Sequence, residues 1–174
     1  MATVTPNYSW PVPTSGDLVK DGATAIEALG DAIDATVFGL GVSGAWTSYT
    51  PTVRQGTTNV TPTVTYAKFK QVGKTVFVNV SVKATTTGSA STIINISVPS
   101  GKVPLTDGLQ FTIGTFGMLD AGSAFYHGYC TYLSSSGGFV GVANGGGNAM
   151  GANSPGITVA NNDEFYISVA YEVA

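Results

Sequence analysis

Asp17-Leu18-Val19-Lys20-Asp21-Gly22-Ala23-Thr24-Ala25-Ile26-Glu27-Ala28-Leu29-Gly30-Asp31-Ala32-Ile33-Asp34-Ala35-Thr36-Val37-Phe38 is the one stretch of this 174-residue chain that reads as helix. Ile26, Leu29, Ile33 and Val37 recur at steps of three, four and four, which aligns side chains on one helical face. The predicted helix runs from Asp21 to Phe38. Asp21 is its expected N-cap, where an acidic side chain suits both the free N–H groups and the dipole. Ala25, Ala28, Ala32 and Ala35 fall elsewhere on the surface, so the apolar stripe is narrow. Narrow stripes belong to seams between helices, and broad ones to globular cores. Only about two heptads are present, fewer than the roughly three or four that establish a coiled coil. A helix this short is marginal by itself in water, so it has to pack on something. Two arrangements satisfy that need. Three copies meet on an axis with Ile26, Leu29, Ile33 and Val37 at the trimer interface, or the stripe packs on the chain's own later residues.

Upstream of the helix, Pro6, Pro11 and Pro13 punctuate an aromatic segment, Tyr8-Ser9-Trp10-Pro11-Val12-Pro13. Proline fixes φ and biases the residue before it to extended geometry, which predicts an extended arm. Tyr8, Trp10 and Val12 are then available to bury against a neighbour. A disordered terminus is the alternative. Downstream, Gly39, Gly41 and Gly44 form a flexible joint.

After Trp46 the period becomes two. Val76, Val78, Val80 and Val82 share one strand face, and Phe165, Ile167, Val169 and Tyr171 share another. Thr92 to Val98, Leu109 to Phe116 and Phe125 to Leu133 are further β-runs. Turn signals at Gly73-Lys74, Thr87-Gly88-Ser89, Pro99-Ser100-Gly101, Asp107-Gly108 and Ser136-Gly137-Gly138 separate them. Short strands spaced in this way indicate an all-β sandwich or barrel. Gly145 to Gly156 reads as a Gly/Asn-rich surface loop. The expected class is mainly β: an arm and one short α-helix in residues 1–45, then a single antiparallel, jelly-roll-like β-sandwich in residues 46–174.

Charged residues are only 10% of the chain, against about 25% in an ordinary soluble domain. Such a surface is expected either to be covered by copies or partners, or to be a Thr/Ser-rich sandwich surface. Residues 1–45 carry a net charge of −4 and residues 46–174 carry +1. No basic patch is present to neutralise phosphates, which argues against nucleic-acid binding. Apolar runs are far shorter than the roughly 20 residues of a membrane span, so no membrane insertion is expected. The N-terminus reads without a signal peptide, which leaves the N-x-S/T matches at Asn59, Asn79 and Asn95 as chance.

Catalytic, cofactor and metal sites are not legible. Gly73-Lys74-Thr75 resembles the end of a phosphate-binding loop, but Lys68 stands where that motif needs glycine, and a strand follows instead of a helix. His127 and Cys130 are the only histidine and the only cysteine. Their three-residue spacing puts them on opposite faces of a strand, too few and too far apart for zinc. Ser123 and Asp120 lie near His127 in sequence without a nucleophile pattern. Asp163 and Glu164 are adjacent, which makes a poor acid/base couple for glycoside cleavage. Tyr126, Tyr129 and Tyr132 are candidate glycan contacts, with core and turn roles as the alternative.

Several segments resemble small bacteriophage virion proteins of the minor tail or tail-fibre type. The opening Tyr8-x-Trp10-Pro11-x-Pro13, followed by Asp17-x-Val19-Lys20-Asp21-Gly22-Ala23 and Ala32-Ile33-Asp34, is similar to their arm and helix. Trp46-x-x-Tyr49-Thr50-Pro51 resembles the entry to their β-domain, and Tyr66 with Val72-Gly73-Lys74-Thr75-Val76 its first hairpin. Val98-Pro99, Pro155-Gly156-Ile157-Thr158-Val159, Asp163 and Tyr171-Glu172 match further on. The resemblance implies a homotrimer without enzyme activity, assembled in the host cytoplasm and located on the virion. In that reading Tyr8, Trp10, Pro11 and Pro13 dock on other virion proteins, and the β-sandwich faces outward toward a host surface glycan. A capsid decoration (cement) protein on the head is the alternative location. A helix of about 27 Å, at about 1.5 Å per residue, is too short for a fibre shaft. A carbohydrate-binding module is the alternative from another class.

Overall fold

The strongest alternation in the sequence lies at the middle of the sheet. In the computed structural model, which describes residues 3–16, 18–41, 44–108, 111–143, 149–152 and 156–174, the chain divides into two compact units, Met1–Ala45 and Trp46–Ala174.

In the second unit, strands β3 (Thr47–Ser48), β4 (Val53–Gln55), β5 (Thr58–Val60), β6 (Pro62–Val72), β7 (Thr75–Ala84), β8 (Ile94–Ser97), β9 (Gly114–Asp120), β10 (Ala124–Leu133), β11 (Gly138–Ala143) and β12 (Glu164–Glu172) form one ten-stranded sheet. Its order is β3-β6-β7-β12-β9-β10-β11-β8-β4-β5, and its pairings are antiparallel. The sheet is continuous and curls into a half-barrel, which brings its inner face round a shared core. The mainly β, antiparallel class expected from the sequence is therefore present.

Val76, Val78, Val80 and Val82 of β7 and Phe165, Ile167, Val169 and Tyr171 of β12 all point into that core. Phe116 and Met118 from β9, Cys130 from β10 and Phe139 from β11 complete its middle. The β6–β7 hairpin turns at Gly73-Lys74, where Gly73 has φ 59°, a left-handed geometry that glycine adopts without steric cost. This is the segment that mimics a phosphate loop in sequence. The expected strand from Leu109 to Phe116 lies later, at Gly114–Asp120, and Leu109 itself is outside the described residues. Most of the Gly145–Gly156 loop is outside them as well.

The first unit holds a small hairpin, β1 (Thr3–Val4) with β2 (Pro11–Val12), and helix α1 (Gly22–Gly39) after a 3-10 turn at Val19–Asp21. The arm is thus folded back on itself and not extended throughout. Ser9, at φ 56°, reverses the chain, and the Trp10 backbone N–H donates to the Thr5 hydroxyl at 3.0 Å. Asp21 stands at the N-cap position, but its side chain makes no capping bond. The preceding 3-10 turn holds its backbone at φ −94°, ψ −3°, whereas a capping side chain needs an extended residue there.

One buried polar group ties β4 to the segment before β12. Gln55 on β4 is fully buried, and its amide is completely used. Nε2 donates to Ile157 O at 2.6 Å and to Thr92 O at 3.2 Å, while Oε1 accepts from Val159 N–H at 2.9 Å. Gln55→Leu keeps the approximate volume but strands Val159 N–H and Ile157 C=O in an apolar interior. Each orphaned group costs about 1–3 kcal/mol. Urea unfolding should therefore show a loss of about 2–5 kcal/mol, and a change within about 0.5 kcal/mol, the scatter of a neutral surface substitution, would remove Gln55 from this role.

Candidate functional site

Two surfaces stand out, one on each unit. On the first, the hairpin covers one side of α1. Trp10 Nε1 donates to the Thr36 hydroxyl at 2.9 Å, and that hydroxyl donates onward to Ala32 O at 2.8 Å. Gly22, Ala25, Leu29, Ala32 and Thr36, the half-buried positions of the helix, recur at steps of three and four and form that covered side. Leu29 therefore lies apart from the other three expected trimer contacts. The reason is angular: at about 100° per residue, Leu29 falls some 40–80° round the helix from Ile26, Ile33 and Val37.

Those three are exposed, Ile26 by 65%, and Val19 and Leu40 are exposed with them. Val19, Ile26, Ile33 and Leu40 repeat every seven residues, with Val37 four after Ile33. Ile26, Ile33 and Val37 lie within about 40° of one another round α1 and form an exposed apolar seam, which Leu40 borders at the C-cap and Val19 precedes in the 3-10 turn. Ala23 and Gly30 occupy the small positions between them. Glu27, Asp31 and Asp34 lie about 60–160° away, so the carboxylates flank the seam and do not sit on it.

The four expected docking residues are all in or beside the hairpin. Tyr8 is exposed and stacks on Trp10, with ring centroids 5.1 Å apart. Pro11 and Pro13 line an apolar hollow of ≈560 Å³ with Val12, Leu18, Ala25 and Ala28. Trp10 is partly committed to its own helix through Thr36, so the arm presents Tyr8 and the prolines outward.

The second surface belongs to the sheet. Along β10 the core side is taken by Tyr126, Cys130 and Tyr132. Phe125, His127 and Tyr129 take the opposite, outer side. Tyr126, Tyr129 and Tyr132, grouped in sequence as candidate glycan contacts, are thus divided between the two faces. A three-residue spacing is odd and the pleat alternates. Tyr132 is buried, Tyr126 packs against the core, and Tyr129 alone is on the outer side, half-buried. Burial also pushes the Cys130 thiol far above its usual range, which keeps it protonated and unreactive.

The outer face carries instead a set of aromatics that sequence reading missed. Trp46, Tyr66, Phe77, Phe125 and Tyr166 are all exposed there. Their residue numbers span most of the chain, and only strand register brings them together. Phe125 packs beside His127 at 6.4 Å and Tyr166 at 6.2 Å between ring centroids. The Tyr166 hydroxyl donates to the Glu164 carboxylate, and Lys83 Nζ lies 3.8 Å from the other oxygen of that carboxylate.

Asp163 plays no part in this surface. It is fully buried, and its carboxylate accepts backbone N–H bonds from Ala121 at 2.9 Å and Ala160 at 2.8 Å, which ties the β9–β10 turn to the loop before β12. Among the described residues, no three His, Cys, Asp or Glu side chains converge as a metal site, and no helix is long and apolar enough to cross a membrane. Comparisons with protein families, curated proteins and solved structures gave no match.

Proposed function

We propose that this chain is a non-enzymatic structural protein of a bacteriophage virion, a homotrimeric module that docks by its N-terminal unit and displays its β-unit outward. The observation that carries the reading is the exposed seam Ile26, Ile33 and Val37 on α1. A short helix with one side already covered by its hairpin still leaves a second apolar stripe in water. Fully burying one aliphatic side chain of this size is worth about 1.5–3 kcal/mol, so identical stripes have a strong reason to meet. The small residues Ala23 and Gly30 let helices approach closely along the same line. Trimer stoichiometry and the virion setting come from the resemblance of the arm and helix to minor tail and tail-fibre-type proteins.

In this reading Tyr8, Pro11 and Pro13, with Leu18 beside them, meet another virion protein, and the hollow between hairpin and helix receives part of it. Tail association and host attachment follow the resemblance. A cap over a symmetry axis of the head is the second reading, favoured by the absence of any shaft-length helix among the described residues. Copy number in purified particles separates the two. A few trimers per particle mean tail and hundreds of copies mean head. Absence of the chain from particles contradicts both. A carbohydrate-binding module is the reading from another class, favoured by the aromatic outer face.

A further inference from the structure

We infer that the outer face of the β-unit binds a neutral saccharide in the trough floored by Gly117, with the Phe125 ring as its stacking platform. Gly117 lies on β9 directly between Tyr166 of β12 and His127 of β10. Those two residues are two inter-strand spacings apart, about 10 Å at about 4.8 Å each. Because Gly117 has no side chain, the Phe125 ring can reach into the space between them. Phe125 leans over it, and a Cβ at Gly117 would stand 3.1 Å from Phe125 Cζ. The ring's place therefore depends on glycine at position 117, and the ring remains 57% exposed. The trough encloses ≈320 Å³, at the lower end of the roughly 300–1,000 Å³ of small-molecule sites.

The chemistry around the platform selects the occupant. A pyranose has an apolar C–H face and a rim of hydroxyls. Phe125 supplies the flat apolar surface. Tyr166, Ser168, Thr115 and His127 supply hydroxyl and imidazole groups round it, and the Glu164 carboxylate sits behind the Tyr166 hydroxyl. Lys83 beside Glu164 balances its charge, so the rim favours an uncharged ligand over an anionic or cationic one. A second trough of ≈410 Å³ lies further along β12, lined by Trp46, Phe77, Asn79 and Ala170, and shares Ser168 with the first. Tyr166 and Ala170 are four residues apart, about 13 Å at about 3.3 Å per residue, so the two troughs suit non-adjacent rings of one oligosaccharide. A solvated outer sheet face is ordinarily polar, and an exposed aromatic patch marks an interaction site.

This deepens the attachment reading above and is tested separately from it. The full-length protein is titrated calorimetrically with maltotetraose, cellotetraose and fully N-acetylated chitotetraose, three neutral oligosaccharides. Saturable binding to at least one is expected. Phe125→Ala should weaken it by at least tenfold, and Tyr166→Phe, which keeps the ring and removes the hydroxyl, by a few-fold. Phe125 is exposed, so thermal melting of the variant should match the parent and exclude misfolding. Binding to none of the three, or binding untouched by both substitutions, overturns the site. So does a change of sedimenting mass on Phe125→Ala, which would make this face a contact between copies. A trimer that binds no saccharide sinks this inference and leaves the assembly reading intact, whereas a monomer that binds saccharide does the reverse.

Discussion

Replacing Ile26 and Ile33 together by aspartate should convert the proposed trimer to monomers while leaving the β-unit folded. Both side chains lie on the exposed seam of α1, and neither belongs to the core of the sheet. The substitution removes two aliphatic anchors per protomer, each worth about 1.5–3 kcal/mol when buried, and adds six carboxylates around one axis. A buried, unpaired charge costs several kcal/mol further. The sedimenting mass should fall to that of one chain, 17.7 kDa. The β-sheet far-ultraviolet signal and its unfolding midpoint should be unchanged. Leu29→Asp serves as the contrast. Leu29 lies on the side covered by the hairpin, so its replacement should loosen the arm from the helix, exposing the Trp10 indole to quenchers, with a weaker effect on mass. Equal effects at Leu29 and at the seam would contradict the division of the helix into two apolar sides.

The second large effect is expected inside the sheet. Gly114 opens β9 where it runs beside β12, and a Cβ there would stand 2.2 Å from Ser168 O and 2.7 Å from Val169 Cα. Both are backbone atoms of a central strand, so no rotamer change relieves the collision. Gly114→Val should cost more than the roughly 1–3 kcal/mol of ordinary overpacking and yield insoluble or unfolded protein. The Gly141 position is crowded too, but its neighbour is the Phe116 ring, with Cδ1 2.4 Å from the added Cβ. A side chain can shift where a backbone cannot, so Gly141→Ala should be the milder change in urea unfolding. The reverse order would show that the β9–β12 register differs from the one described.

These expectations also mark how far the sequence could be read. The strands β7 and β12 were legible because each buries one face only, so valines and aromatics alternate with polar residues. Strand β11 was not. Its Phe139, Val140 and Val142 are all buried, and a strand buried on both sides loses the alternation that reveals it. Gly114 and Gly117 blurred β9 in the same way, and the expected run began too early. In the first unit the helix was legible from its spacing. The prolines, however, suggested an extended arm, and the reversal at Ser9 depends on a residue that carries no strong turn signal.

The site was less legible still. Tyr126, Tyr129 and Tyr132 drew attention because they are close in sequence, whereas the pleat sends them to opposite sides. The aromatics that share the outer face come from β6, β7, β10, β12 and the segment before β3. Their proximity is a property of register, which one sequence does not display. The seam had a detectable signal, since Ile26, Ile33 and Val37 recur at helical steps.

Sedimentation equilibrium of the purified full-length chain at micromolar concentration tests the assembly most directly. The account predicts a single species of about 53 kDa, three times the 17.7 kDa of one chain. A species that stays at 17.7 kDa across that range would contradict it.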